Sequence, residues 1–218
     1  MKQLPEETNI ENRRPIQSRG NPLIQKFAAY LAKKSHPTPN EISCLSAIFA
    51  ALGAICLVIF PYTHFSFLLI CVIFIQLRLL CNLLDGMVAI EGGKKTAIGD
   101  IFNEFPDRIA DSLLLIALGY ASQLAWLGWL AALLAMMTAY IRVFGGSLGF
   151  SQSFMGPMAK QHRMAVLTIS CLLSILEISL WQTYYSLSIG LGIITLGSAY
   201  TCFTRTMYII NQLQQKNR

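Results

Sequence analysis

Beyond residue 40 the chain alternates between long apolar runs and short polar breaks. The runs fall at about 42–60, 65–89, 100–120, 124–144, 164–180 and 185–210. A helix needs about 20 apolar residues to cross a bilayer. The pattern therefore predicts an all-α polytopic membrane protein with six transmembrane helices. Ahead of the first run, Leu23, Phe27, Tyr30 and Leu31 recur at a spacing of three to four, with Lys26, Lys33 and Lys34 at other positions. That spacing predicts a short amphipathic helix lying in the membrane interface. Pro37 and Pro39 end it, and Asn40 is positioned to cap the first span.

The breaks differ in charge. Those around PYTH, ASQL and WQTY contain no Lys or Arg, whereas the basic residues gather in the N-terminal segment, the 2–3 and 4–5 regions and the C-terminal region. Arg78 lies inside the second run, four residues before Asn82. By the positive-inside rule both termini face the cytosol, which in a bacterium places the protein in the plasma membrane. The chain then divides into a polar cytosolic segment (1–22), a membrane domain (23–210) and a cytosolic tail (211–218). Trp126, Trp129, Trp181, Tyr184 and Tyr185 cluster at the outer breaks as an aromatic belt.

Composition agrees. The chain is 54% hydrophobic and 13% charged, about half the charge usual in soluble domains. The net charge of +6 favours an anionic lipid surface. Without a soluble domain it does not point to nucleic acid. The first twenty residues lack the apolar core of a signal peptide. The six cysteines form no CxxC pair and read as small buried hydrophobes. Gly190, Gly192 and Gly197 predict close helix packing in the last span.

One stretch breaks the apolar pattern. CNLLDGMVAIEGGKKTAIGDIFNEFPDRIAD, residues 81–111, carries Asn82, Asp85, Glu91, Asp100, Asn103, Glu104, Asp107 and Asp111. Polar groups in membrane helices are expensive and usually functional. Asn82, Asp85 and Ala89 share one helix face, with Gly86 beside them, and Gly99, Asn103, Asp107 and Asp111 step by four along the next helix. Gly92 and Gly93 allow the break between them. Two facing helices would direct Asn82, Asp85, Asn103 and Asp107 into one cavity near the cytosolic surface. An oxygen-only set without His or Cys suits a hard divalent cation and argues against zinc. Mg²⁺ commonly uses one or two carboxylates together with substrate phosphates, which implies a phosphate or diphosphate substrate. Asp100 and Glu104 complement the dipole at the start of the third span, and Asp111 is placed to pair with Arg108 or another arginine.

With gaps, the stretch reads N-x2-D-G-x2-A-I-x8-G-x3-N-x3-D. It resembles the CDP-alcohol phosphotransferase signature D-x2-D-G-x2-A-R-x8-G-x3-D-x3-D. Every spacing is kept. Asp85, Gly86, Ala89, Gly99 and Asp107 match, and Asn82, Ile90 and Asn103 depart. The resemblance implies transfer of a substituted phosphate, phosphatidyl where the donor is CDP-diacylglycerol, from a CDP-linked donor to an alcohol, with release of CMP. It implies Mg²⁺ or Mn²⁺, one or two ions, held by Asn82, Asp85, Asn103 and Asp107. It further implies Asp107 as catalytic base, Gly86, Ala89 and Gly99 at the nucleotide, and Lys160 and Arg163 at the phosphate of a phosphorylated acceptor. A homodimer embedded among membrane lipids is the expected assembly. The two amides leave a competing expectation, a non-catalytic or hydrolytic CDP-lipid-binding protein. Ile90 replaces the signature's Arg, for which Lys94 and Lys95 are the nearest substitutes.

Overall fold

A computed structural model describes residues 21–34, 36–94 and 98–216. It contains seven α-helices and one 3-10 turn, with no strand among the described residues. They are α1 (Pro22–Ala32), α2 (Pro39–Ile59), α3 (Ser66–Glu91), α4 (Gly99–Ala121), α5 (Ala125–Ser147), α6 (Lys160–Trp181) and α7 (Tyr185–Lys216), the 3-10 turn Phe60–Tyr62 following α2. The six long helices match the six apolar runs to within a few residues. Five are long and apolar enough to cross a membrane. The remaining one, α4, carries Glu104, Asp107, Arg108 and Asp111; Asp107 and Asp111 pair with cations of α3 and α6, and Glu104 with Arg142 of α5 and with Arg108.

The long helices close into a ring. α2 packs on α3 and α4, α4 on α5, α5 on α7, α7 on α6, and α6 back on α3. The core runs through Leu57, Leu68, Ile75, Leu114, Leu118, Leu167 and Leu191, all fully buried. The outer surface is apolar as well: Ile55, Leu133, Leu176 and Leu196 are more than half exposed. A shell of exposed aliphatics around a packed interior is the pattern of a bundle solvated by lipid. Cys56, Cys71, Cys81 and Cys171 are buried as free thiols, Cys44 is exposed, and Cys202 is partly buried.

Local sequence explains the helix starts. Asn21 caps α1 by accepting from the Leu23 N–H at 2.9 Å. Thr38, rather than Asn40, caps α2: its hydroxyl accepts from Glu41 N at 3.3 Å and Glu41 accepts from Thr38 N at 2.7 Å. Pro39 decides the register, because a proline at N1 costs no hydrogen bond. α1 buries Ala28 against Leu84, Met87 and Val88 of α3, with Ile24 and Leu31 beside it, and leaves Leu23, Phe27 and Tyr30 outward.

Two close crossings depend on glycine. A Cβ on Gly119 would lie 2.7 Å from the Gly128 Cα, so α4 and α5 touch backbone to backbone. A Cβ on Gly190 would strike the Ser170 hydroxyl. Gly197 packs similarly on Met158, but Gly192, expected to do the same, has nothing within 4 Å. At the far end of the bundle Glu177 satisfies the start of α7, accepting from Tyr185 N (2.8 Å), Ser186 N (2.9 Å), Ser186 Oγ (2.7 Å) and Thr183 Oγ1 (2.8 Å).

Candidate active site

Because successive long helices run in opposite directions, the starts of α2, α4 and α6 meet the end of α3 at one end of the bundle. Two hydroxyls of α2 meet the motif face of α3 there. Ser43 Oγ donates to Asp85 Oδ2 at 2.6 Å, and Ser46 Oγ donates to Asn82 Oδ1 at 2.8 Å. Both pairs are spaced three apart, so one helix face reads the other. The Gly86 N–H donates to Asp85 Oδ1 at 2.5 Å. Asp85 is buried yet has no ion-pair partner among the described residues. It lies within electrostatic reach of Asp107 and Lys160.

Along α4 the polar face goes from wet to dry. Asn103 is exposed, the Asp107 side chain is 13% exposed, and that of Asp111 is 3% exposed. Asp111 is gripped by Arg78 Nη2 at 2.5 Å and Arg163 Nη2 at 2.7 Å. Asp107 forms an ion pair through Oδ2 with Lys160 Nζ, and its Oδ1 lies 3.9 Å from Arg78 Nη2. Arg78 also donates to Met164 Sδ at 2.8 Å. Three helices, α3, α4 and α6, are thus joined by one buried charge network. Glu104 lies outside it, paired to Arg108 at 2.8 Å and Arg142 at 2.5 Å.

The segment before α6 is fixed from below. Arg163 Nη1 donates to the Met158 carbonyl at 2.8 Å, Met158 N to Thr201 Oγ1 at 3.0 Å, and Arg205 Nε to the Met155 carbonyl at 2.9 Å. Gly156 turns there with φ +108, and a Cβ on it would lie 2.5 Å from Thr201 Cγ2. This pins the first turn of α6 and with it Lys160. Ser43, Ser46 and Arg205 were missed in the sequence. Only the matched spacing of 43/46 and 82/85, and a lone arginine deep in the last run, hinted at them.

Several expectations change. Arg163 is 1% exposed and its guanidinium is engaged by Asp111 and the Met158 carbonyl, so it anchors the network. Lys94 reaches the Lys34 carbonyl rather than the motif, and Lys95 lies outside the described residues. Gly86 and Ala89 are only partly buried, which leaves their small faces accessible. Gly99 starts α4.

No group of three His, Cys, Asp or Glu that could hold a metal occurs among the described residues. The oxygen atoms of Asp85, Asp107, Asn82 and Asn103 are nevertheless the donors a hard divalent ion takes. One atom points the same way. Asn82 Nδ2 is buried with no partner, and amide O and N exchange by a half-turn. Ser46 also lies 3.5 Å from the Arg78 carbonyl. Were Ser46 to donate there instead, a flipped Asn82 would turn its Nδ2 to the serine oxygen and present its own oxygen where the orphaned nitrogen stands. The residues fit such an ion.

The sequence matches CDP-alcohol phosphatidyltransferase over residues 37–199. The chain belongs to that family. It is therefore a membrane transferase. An uncharacterized protein of Aquifex aeolicus is 29% identical over 201 residues, covering 89% of this chain and 91% of that one. Inner membrane protein YnbA of Escherichia coli is 30% identical over 149 residues, covering 66% and 73% respectively. The fold is also that of Mycobacterium tuberculosis phosphatidylinositol phosphate synthase, PgsA1. Its CDP-DAG-bound structure aligns at a TM-score of 0.72 and 20% identity, covering 87% of this chain and 94% of that one. Its manganese and citrate complex aligns at 0.71 and 21% identity, covering 85% and 88%.

Proposed function

We propose that this transferase moves a phosphatidyl group from CDP-diacylglycerol to an alcohol, releasing CMP, with a divalent ion at the motif. The observation that carries this is the meeting of Asp85 and Asp107, on two different helices, in the family's spacing. The CDP-DAG and manganese complexes of PgsA1 support the choice of donor and ion.

Each residue then has a task. Asp85, Asp107 and the amide oxygens of Asn82 and Asn103 hold the ion. When bound, Mg²⁺ or Mn²⁺ neutralises charge on the diphosphate and the departing CMP. Ser43 and the Gly86 N–H fix the Asp85 carboxylate, leaving each oxygen a further lone pair. Asp107 takes the proton of the acceptor hydroxyl as general base. Gly86, Ala89 and Gly99 let the cytidine nucleotide approach the helices. An apolar groove of about 380 Å³ beside the motif, lined by Asn40, Cys44, Leu45, Ile48 and Phe102, receives an acyl chain from the lipid side. The basic breaks put the site and both termini in the cytosol. There α1 lies in the interface with Leu23, Phe27 and Tyr30 toward lipid. The protein assembles as a homodimer among membrane lipids.

The test is CMP release from CDP-diacylglycerol by purified protein across a panel of acceptors: glycerol phosphate, inositol phosphate, serine and free polyols. Release that requires both a divalent ion and one acceptor is expected. No release with any acceptor, from a folded sample, would overturn the proposal.

A further inference from the structure

We infer that the Lys160 ammonium is a resident cation of the active site that takes the place of one divalent ion, so that the site loads a single ion. This rests on the transferase reading above and specifies its metal content.

The argument is one of charge. Six ionisable side chains meet at the junction of α3, α4 and α6. They are Asp85, Asp107 and Asp111 against Arg78, Lys160 and Arg163, three acids and three bases whose formal sum is zero. Asp111 is fully engaged by two guanidiniums at 2.5 and 2.7 Å. Glu104 is held by Arg108 and Arg142 and contributes nothing to the motif. Asn82 and Asn103 bring oxygen without charge. Asp85 is the carboxylate of this group that lacks an ion-pair partner among the described residues.

Lys160 is not a loose surface lysine. It opens α6, whose first turn is pinned through Arg163, Met158 and Thr201, and its side chain is only 14% exposed. Its ammonium sits on Asp107 Oδ2, one of the two carboxylates at the four motif positions, so a second ion would compete with it for that carboxylate. Two dications would add four positive charges to a neutral, poorly solvated cluster, where like charges repel far more strongly than in water. One dication adds two, which the two negative charges of a substrate diphosphate balance. A second ion must therefore displace Lys160 from Asp107.

The test is the number of Mn²⁺ ions bound per chain with CDP present, counted by electron paramagnetic resonance. Samples are the wild type, Lys160→Met, and the triple variant Lys160→Met with Asn82→Asp and Asn103→Asp. One ion is expected in the wild type. The same ion should bind at least about tenfold more tightly in Lys160→Met, because a competing positive charge has gone. Two ions are expected in the triple variant. Two ions in the wild type overturn the inference, a count that does not depend on any variant folding. So does an unchanged affinity in Lys160→Met. Two ions together with CMP release would leave the transferase reading standing. No Mn²⁺ in any sample and no CMP release would overturn both.

Discussion

Replacing Asp111 by Asn should cost this protein far more stability than activity chemistry alone would suggest. The exchange keeps the shape and removes one negative charge from between two guanidiniums. Arg78 and Arg163 are 0% and 1% exposed, and Asp111 itself 3%, so water does not screen what remains. Removing one partner of a buried ion pair typically costs about 3–5 kcal/mol, because the other charge stays buried and unpaired. Here two cations would be stranded. At roughly 2–4 °C per kcal/mol for a chain of this size, the melting temperature should fall by roughly 6–20 °C. The assay is a thermal melt in detergent followed by size-exclusion fluorescence, at one fixed scan rate because membrane proteins often unfold irreversibly. The triple change Arg78→Met, Asp111→Leu and Arg163→Met strands no charge and should recover most of the loss. A melting temperature for Asp111→Asn within about 2 °C of wild type would refute the claim that this triad ties α3, α4 and α6 together.

Further outcomes follow from the same structure. Asp85→Asn should lower CMP release by roughly 10²–10³-fold. Its melting temperature should not fall, since Asp85 has no ion-pair partner to strand; a lower one would place Asp85 in the structural network. Gly119→Ala forces apart two touching backbones and should cost about 1–3 kcal/mol, whereas Gly192→Ala, with open space around it, should melt like wild type. Glu177→Ala removes the acceptor for two N–H groups and two hydroxyls at the start of α7. It should lower the melting temperature by a few degrees while CMP release per folded molecule stays unchanged; lost release would link that distant end to the site.

The hydrophobic pattern carried the long helices because a bilayer demands about 20 apolar residues whatever the partners are. Spacing along one chain likewise carried the motif: Asn82 and Asp85, or Asn103 and Asp107, share a face by helix geometry alone. What the pattern could not carry is which face meets which. Ser43 reaches Asp85 across 42 positions and Arg163 reaches Asp111 across 52, and no periodicity encodes such pairings. The arginines show the limit best. Arg78 and Arg205 stand as charges inside apolar runs and Arg163 at the edge of one, but only packing distinguishes a buried anchor such as Arg163 from a cation facing substrate. The α2 cap is a milder case: Thr38 and Asn40 are both capping types, and Pro39 between them selects the first.

The central claim is transfer, with Asp107 as the base, and the lipid product tests it most directly. Purified protein is given CDP-diacylglycerol, Mn²⁺ and an isotopically labelled acceptor, and the lipids are weighed by mass spectrometry. The account predicts a phospholipid carrying the label, formed together with CMP by the wild type and reduced by roughly 10²–10⁴-fold in Asp107→Ala. Phosphatidic acid as the only lipid product, or a labelled product undiminished in Asp107→Ala, would contradict it.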